Sequence, residues 1–292
     1  MIDFDTRWNY DDPKATETVF ASLLPNTHTS DDADAVAQLL TQIARAQGLQ
    51  RKFDQAQATL DEAQRLIGES DGMSRARIRL LLERGRVLNS SGLRDAARPY
   101  FQEAFDLAAS AGEDFFAVDA AHMLAIVAPA EQSLAWNERA LALAEASHDE
   151  RARRWLGSLY NNIGWTVHDR GRHADALSLF ERALQWRIAN HRSDRDDAEI
   201  RVAKWCVARA LRSLNRVDDA LSMQQELLGE HERAETHDGF VFEEMAECLY
   251  ALNRADDAKH YAALAYDELQ KDAWLADNEP QRLRRLKEIA SS

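Results

Sequence analysis

The residues of this chain that could carry out acid–base chemistry are mostly carboxylates that stand just before an apolar run with helical spacing. They are the adjacent pairs Asp218–Asp219 and Asp256–Asp257 and the single residues Asp95 and Asp175. A carboxylate at the start of a helix accepts hydrogen bonds from unpaired N–H groups and lies at the positive end of the helix dipole. We therefore expect helix caps at these positions rather than catalytic dyads.

The histidines suggest little metal or nucleophile chemistry. His168 and His173 flank an expected turn, and His231 and His237 are six residues apart. Neither pair has the i, i+4 spacing with an intervening glutamate that a zinc-hydrolase helix needs. The sequence also lacks GxGxxG, phosphate-loop, GxSxG and Cys–His nucleophile patterns. We therefore expect no metal, no cofactor and no enzymatic activity.

Composition indicates a helical protein. The 292 residues include only five prolines and 11 glycines, and 45% of them are hydrophobic. The formal charge of −14 argues against nucleic acid as a partner. Neither a secretory signal nor an apolar run long enough to span a bilayer is present, which favours a cytoplasmic protein without membrane contact. Cys206 and Cys248 fall in helical patterns, and we expect small core residues rather than a disulfide.

One stretch, residues 159–183, shows which elements must position these side chains. An apolar run with helical spacing stops at Gly171, because glycine takes the left-handed conformation of a helix C-terminus without a Cβ penalty. A second amphipathic run follows after a few residues, so the two helices must fold back on each other. Gly164 would let the helices approach closely, and Phe180 would fill the space between them.

The same pattern returns along the chain with a period of 36 to 44 residues. The positions equivalent to Ala176 in the second helix are Ala56, Ala97, Ser133, Ala176, Ala220 and Ala258. Twelve residues earlier stand Ala44, Gly85, Ala121, Gly164, Ala208 and Ala246, and seven residues later Ala63, Ala104, Ala140, Ala183, Leu227 and Ala265. Small residues are expected where helices cross closely, since larger side chains would force the backbones apart at a cost of about 1–3 kcal/mol.

The turns between the two helices of each copy repeat as well. Residues that tolerate a left-handed conformation stand five positions before the alanine, at Gly92, Gly171, Asn215 and Asn253. Copy one has Arg51 there with Gly48 just upstream, so we expect its turn to differ.

The two ends of the chain are less regular. Trp8 is expected to pack against the first helices, or alternatively to plug a binding groove. Asn278 is expected to cap a last helix that runs from Glu279 to Ile289. The basic residues of that helix, which predict a solvated end of the fold, are Arg282, Arg284, Arg285 and Lys287.

This pattern resembles the tetratricopeptide repeat, a helix–turn–helix unit of about 34 residues. The resemblance implies an all-α fold, an α-solenoid of about six tetratricopeptide-like repeats with a capping helix at each end. The predicted division is an N-terminal segment and cap helix (1–32), a solenoid (33–270) and a C-terminal cap helix (271–292).

In repeats of this family the first helices line a concave groove, and the resemblance places a set of polar and aromatic residues there. The predicted partner-binding residues are Arg45, Arg86, Asn89, His122, Asn161, Trp165, His168, Trp205, Arg209 and Arg212. Arginine can bind carboxylates bidentately, tryptophan offers rigid apolar area, and asparagine can pair with a peptide backbone. The Asn161–Asn162 pair also resembles asparagines of kinesin light chains and bacterial peptide-sensing regulators, which contact bound peptide backbone.

The expected function is therefore that of a protein–protein interaction module, an adaptor or regulatory scaffold whose groove binds an acidic or polar peptide segment. Three alternatives remain open at this point. An enzyme on a helical scaffold would need acid–base groups that converge in a deep pocket. A homo-oligomeric scaffold would bury exposed tryptophans such as Trp136, Trp155, Trp186 or Trp274 in a self-interface, and a sensor would bind a small molecule or peptide.

Overall fold

The computed structural model describes residues 4, 7–27, 33–68, 72–191 and 197–291, and every regular element in these ranges is an α-helix. In chain order the helices are α1 (Pro13–Thr27), α2 (Ala33–Leu49), α3 (Phe53–Ile67), α4 (Ser74–Ser90), α5 (Arg94–Ala111), α6 (Asp114–Val127), α7 (Ala130–Ala146), α8 (Glu150–Arg153), α9 (Leu156–Asp169), α10 (His173–Ala189), α11 (Ala198–Ser213), α12 (Val217–Arg233), α13 (Gly239–Ala251), α14 (Ala255–Leu269), α15 (Ala273–Asn278) and α16 (Pro280–Ser291). Within the described ranges, none of them combines the length and the apolar character that crossing a membrane requires.

The chain divides into two compact units, Met1–Leu156 (unit 1) and Gly157–Ser292 (unit 2). In unit 1, α2 packs with α3, α4 with α5, and α6 with α7, and neighbouring pairs also touch through α3–α4 and α5–α6. In unit 2, α9 packs with α10 through Gly164 and Phe180, α11 packs with α12, and α13 with α14. These six pairs are the predicted copies, and the predicted α-solenoid of helix–turn–helix repeats is confirmed. The division at 33 and 270 stays a prediction, and residues 28–32 lie outside the described ranges.

The repeating small residues lie in the core. The positions aligned with Ala176 are fully buried in five copies, at Ala56, Ala97, Ala176, Ala220 and Ala258. The positions twelve residues earlier are buried in all six copies, and so are those seven residues later. Ser133 is only half-buried, so copy three departs from the pattern.

The two glycines of this pattern are matched to the two large aromatics of the second helices. A Cβ on Gly164 would lie 2.5 Å from Cε1 of Phe180, and a Cβ on Gly85 would lie 2.5 Å from Cε1 of Phe101. Both rings are fully buried. Where the first helix has alanine instead, the second helix has a residue other than phenylalanine, namely Leu60, Asn137, Gln224 or Ala262. At each helix crossing, the size of the residue on the first helix is therefore matched to the size of the side chain on the second.

The predicted turns are confirmed in four copies. The residues with positive φ are Gly92 (88°), Gly171 (77°), Asn215 (60°) and Asn253 (58°). The expectation that copy one would differ is wrong, because Arg51 has a φ of 61° and makes the same turn. Lys52 N donates to Gln47 O at 3.0 Å, as Arg172 N donates to Val167 O at 3.0 Å. The hydrogen bonds and packing of the repeat thus hold arginine in a conformation that glycine adopts more easily.

Both ends carry additional helices. At the N-terminal end of α1, Ala15 N donates to Asp12 Oδ1 at 2.9 Å. The prediction that Asn278 caps the last helix is wrong, since Asn278 ends the short helix α15 and its Nδ2 donates to Trp274 O. Asp272 caps α15 instead, and α16 begins at Pro280, which is pre-organised for a first helical position.

Candidate functional site

The predicted partner-binding residues fall into two groups, one in each unit. Arg45, Arg86, Asn89 and His122 belong to unit 1, and the other six belong to unit 2. Each unit has a cavity on the side formed by its first helices, and each is described separately.

The unit 1 cavity has a volume of about 260 Å³. It is bounded by α2, α4, α6, the N-terminal segment and the two residues that follow α8. Its lining residues are Trp8, Tyr10, Gln42, Arg45, Arg79, Leu82, Glu83, Arg86, Phe115, Phe116, Asp119, Arg154 and Trp155. Arg45 and Arg86 are therefore brought together as predicted.

Arg86 is held by two buried carboxylates. Its Nη2 donates to both oxygens of Asp119 at 2.5 Å, and its Nη1 donates to Glu83 Oε1 at 2.5 Å. Burial works against this charge, but Asp119 and Glu83 outweigh it and raise the pKa of Arg86. The guanidinium is already neutralised by Glu83 and Asp119. A charge reversal at Arg86 would place three carboxylates together and destabilise the fold, so it would not report on ligand binding.

The N-terminal segment forms one wall of the unit 1 cavity. Trp8 Nε1 donates to Gln42 Oε1 at 2.9 Å, and the Trp8 ring stacks on Tyr10 with centroids 4.9 Å apart. The guanidinium of Arg45 lies 5.5 Å from each of these two ring centroids. The predicted packing of Trp8 against the first helices is confirmed, and the same ring also lines the cavity.

Asn89 and His122 lie outside the lining of this cavity. Asn89 is half-buried and borders a smaller neighbouring cavity of about 190 Å³ together with Arg45 and Arg86. The His122 ring lies 5.1 Å from that of Trp155, and burial lowers its pKa although Asp119 works in the other direction.

The unit 2 cavity has a volume of about 550 Å³ and brings five of the predicted residues together. Helices α9, α11, α13 and α16 surround it. Its lining residues are Trp165, His168, Asp169, Trp205, Arg209, Arg212, Glu243, Glu244, Glu247, Glu279, Arg282 and Arg285. The Trp165 and Trp205 rings are 5.6 Å apart, and Trp205 Nε1 donates to Phe240 O at 3.1 Å.

Carboxylates of α13 pair with arginines on both sides of that helix. Glu244 accepts two hydrogen bonds from Arg212, at 2.6 and 2.8 Å. Glu243 accepts two from Arg282 at 2.5 Å, and Glu247 accepts one from Arg285 at 3.2 Å. The prediction of a solvated basic helix is therefore half right for α16: Arg284 and Lys287 are exposed, but Arg282 and Arg285 cover acidic side chains of α13.

Arg209 is the least neutralised arginine of the unit 2 cavity. Its Nε lies 3.1 Å from Glu244 Oε1, a carboxylate that Arg212 already occupies with two hydrogen bonds. Its Nη1 donates to Ser213 Oγ at 2.7 Å, and the same hydroxyl lies 2.9 Å from His168 Nε2. Burial lowers the pKa of Arg209 although Glu244 raises it, yet a guanidinium stays protonated at neutral pH. Arg209 thus retains hydrogen-bonding capacity in a cavity that Trp165 and Trp205 also line.

Asn161 lies outside the lining of the unit 2 cavity. It is half-buried, and its Oδ1 accepts a hydrogen bond from Cys206 Sγ at 3.2 Å. Its neighbour Asn162 is also half-buried on α9.

Several of the other residues that could do chemistry have structural partners. The prediction that Asp175 and Asp219 cap their helices is wrong. They lie in the first turns of α10 and α12, but they accept hydrogen bonds from Arg172 and Arg216, and neither helix has a side-chain cap. Cys206 and Cys248 are buried free thiols, and burial raises the pKa of each to about 12. Among the described residues, no group of three or more His, Cys, Asp or Glu side chains is placed to hold a metal ion.

Sequence reasoning missed four charged residues of the two cavities. Asp119 and Glu83 in unit 1 and Glu244 and Arg282 in unit 2 have no local signal, because their partners are 32 to 39 residues away except for the Glu83–Arg86 pair. The i, i+3 spacing of that pair was the one available clue.

Neither a protein-family model nor a curated protein sequence gives a significant match to this chain. Solved structures do match. The apo form of RapI aligns with a TM-score of 0.72 at 12% identity over 99% of this chain and 83% of that one. A signal transduction ATPase with numerous domains from Pyrococcus horikoshii, which carries a tetratricopeptide repeat sensor, aligns with a TM-score of 0.72 at 11% identity.

The alignment with this ATPase covers 94% of this chain and 42% of the ATPase, so the chain spans less than half of its length. NprR, solved in complex with its cognate peptide NprX, aligns with a TM-score of 0.53 at 13% identity over 94% of this chain and 78% of NprR. At these identities the similarity shows the fold alone. The chain has the fold of a divergent tetratricopeptide-like helical repeat, as its residue spacing predicted.

Proposed function

We propose that this protein is an interaction module that binds an extended peptide segment of a partner in the unit 2 cavity. The observation that carries the proposal is Arg209, a half-buried and incompletely neutralised guanidinium that lines the same cavity as Trp165 and Trp205. The NprR structure, which holds a peptide on the same kind of fold, supports a peptide ligand. A repeat surface of this kind suits recognition better than catalysis, and we propose that the protein has no enzymatic activity of its own.

The charges of the cavity restrict the peptide. The lining holds four arginines against five carboxylates, so a run of acidic residues would meet net repulsion. A polar segment with a single carboxylate fits better, with that carboxylate on Arg209 and an apolar or aromatic side chain on the tryptophans. Asn161 and Asn162 on α9 are then candidates for contacts with the peptide backbone.

We place the peptide contacts in unit 2 because Arg86 of unit 1 is already neutralised by its own carboxylates. Arg45, Asn89 and His122 remain candidates for further contacts. The acidic surface favours protein over nucleic acid as the partner, and we propose that the module works in the cytoplasm as an adaptor or regulator.

One observation favours self-association as a second candidate. Trp274 on α15 is 62% exposed, although tryptophan side chains are highly buried on average. Light scattering would show a concentration-dependent dimer that Trp274→Ser abolishes, whereas a monomer at all concentrations would remove this candidate.

The peptide proposal can be tested with a displayed library of random decapeptides selected on the wild-type protein. A selected peptide, labelled with a fluorophore, is then titrated with Arg209→Gln and with Arg216→Gln as the matched control. Arg216 is an exposed arginine of the same unit, and among the described residues it pairs only with Asp219. Loss of a charge-assisted hydrogen bond of about 1.5–3 kcal/mol predicts roughly 10- to 100-fold weaker binding for Arg209→Gln and little change for the control. Equal affinities for both variants would refute the placement of the peptide on Arg209.

A further inference from the structure

The unit 1 cavity carries a positive charge in an acidic protein. Arg45, Arg79, Arg86 and Arg154 line it against only two carboxylates, Glu83 and Asp119, whereas the whole chain has a formal charge of −14. The unit 2 cavity has the opposite balance. An anionic group is therefore attracted to the unit 1 cavity more than to the rest of the surface.

Two arginines of this cavity have hydrogen-bonding capacity left. No described residue forms an ion pair or side-chain hydrogen bond with Arg154, which lies directly after α8 and lines the cavity. Arg45 lies over the Trp8 and Tyr10 rings, and its nearest carboxylate oxygen, Glu83 Oε1, is 3.6 Å away. Two guanidiniums beside one cavity suit a carboxylate, which can accept from both.

The same cavity also has an acceptor without a donor. Glu83 is a cavity-lining carboxylate whose side chain is only 3% exposed. Its Oε1 takes the contacts from Arg86 and Arg45, while its Oε2 is buried without a hydrogen-bond partner among the described residues. Buried carboxylate oxygens are normally satisfied, and a turn of the Glu83 side chain toward the cavity would present this oxygen to a donor of the ligand.

The walls and the size of the cavity complete the description of its ligand. The rings of Tyr10, Phe115 and Trp155 line it and supply aromatic surface to its walls. Its volume of about 260 Å³ lies below the range of about 300–1,000 Å³ that is typical of sites for drug-sized ligands. The ligand is therefore small, with one aromatic ring, a carboxylate and a nitrogen donor.

We propose that the unit 1 cavity binds a free aromatic α-amino acid. Its carboxylate meets Arg154 and Arg45, its ammonium group donates to Glu83 Oε2, and its ring stacks among the aromatic walls. The site is separate from the proposed peptide cavity of unit 2, so the protein would bind a small molecule at one site and a peptide partner at the other.

The test is isothermal titration calorimetry of the full chain with L-tryptophan, L-phenylalanine and L-tyrosine as probes. The variants are Arg154→Gln and, as the matched control, Arg153→Gln, whose exposed side chain bonds only backbone carbonyls and does not line the cavity. We expect at least one probe to bind wild type and Arg153→Gln alike, and to bind Arg154→Gln at least 10-fold more weakly. Absence of binding by all three probes, or equal affinity for both variants, overturns the proposal.

Ligand analogues test the two polar contacts separately. L-Tryptophanamide lacks the carboxylate, and N-acetyl-L-tryptophan lacks the ammonium group but keeps an N–H, as the last residue of a peptide does. The proposal predicts that each binds at least 10-fold more weakly than the free amino acid. If the N-acetyl compound binds as tightly, the ligand is a peptide C-terminus and the free amino acid is the wrong source. Arg209→Gln should leave all these affinities unchanged, so failure here is distinct from failure of the peptide site.

Discussion

The match between Gly164 and Phe180 gives the most direct test of how the helix pairs pack. In Gly164→Ala, the new Cβ would lie 2.5 Å from Cε1 and 2.7 Å from Cδ1 of the fully buried ring. Carbon atoms in contact prefer about 3.5–4.0 Å, so the ring or a helix must move by about 1 Å. Such overpacking costs about 1–3 kcal/mol, while alanine is about 1 kcal/mol better than glycine inside a helix.

A second glycine of unit 2 separates the two effects. In Gly229→Ala on α12, the new Cβ meets only the flexible end of Arg233, at 3.4 Å. This variant should therefore show the gain in helix propensity alone, about 1 kcal/mol. The expected difference in the free energy of unfolding between the two alanine variants is about 1–3 kcal/mol, measured by urea titration with far-UV circular dichroism.

A double-mutant cycle then assigns the loss to the ring. Phe180→Leu removes ring atoms and should by itself cost on the order of 1–2 kcal/mol, less than the roughly 3–5 kcal/mol of Phe→Ala. Gly164→Ala/Phe180→Leu reproduces the natural combination of copy one, where Ala44 faces Leu60 and both are fully buried. The double variant should be more stable than the sum of the single losses by at least about 1 kcal/mol. Strict additivity of the two losses would show that the glycine is not there to accommodate the ring.

Three further predictions concern buried polar groups. Gln224 is fully buried, and neither its side-chain oxygen nor its nitrogen has a partner among the described residues. Gln224→Leu should therefore raise the free energy of unfolding, measured by urea titration, by about 1–3 kcal/mol. A decrease would contradict this. Arg212→Met removes the bidentate partner of Glu244, whose side chain is 1% exposed. The free energy of unfolding should fall by about 2–3 kcal/mol. This is less than the roughly 3–5 kcal/mol lost with a wholly unpaired buried charge, because a second arginine still reaches Glu244. Arg216→Met, on an exposed pair, should cost less than about 1 kcal/mol, and equal losses would contradict the difference in burial. Burial, aided by a nearby arginine, lowers the pKa of His168 below its ordinary value of 6.5. The unfolded state then binds more protons below about pH 6.5, so the contribution of His168 to stability is complete above that pH and falls as the pH drops. Thermal melts of His168→Gln should therefore show a flatter pH dependence than those of the wild type. Identical profiles would contradict this.

The fold could be predicted from the sequence because its signals are local. The small residues of each copy, such as Ala44 and Ala56, stand twelve positions apart, and this spacing directly reflects two short helices that cross at a fixed point. Gly171 and Asn215 predicted their turns because few residues adopt a positive φ easily. Arg51 shows the limit of this reasoning, since the hydrogen bonds of the repeat imposed the same turn on a residue whose own preference is different.

The candidate sites were only half predictable. The sequence identified the cavity-lining arginines of the first helices, because helical spacing determines which face of a helix a residue occupies. It could not show which of them are already neutralised. Arg86 meets Asp119 and Arg212 meets Glu244 only because neighbouring helix pairs bring together residues 33 and 32 positions apart.

The sequence by itself determined that this chain folds into tetratricopeptide-like helix pairs, since period, small residues and turn residues are properties of neighbouring positions. The tertiary structure alone decided which charges remain available for a ligand. Electrostatic pairing depends on distances of a few ångströms between side chains of different repeats, and only the packing of α13 between α11 and α16, and of α4 between α2 and α6, fixes those distances.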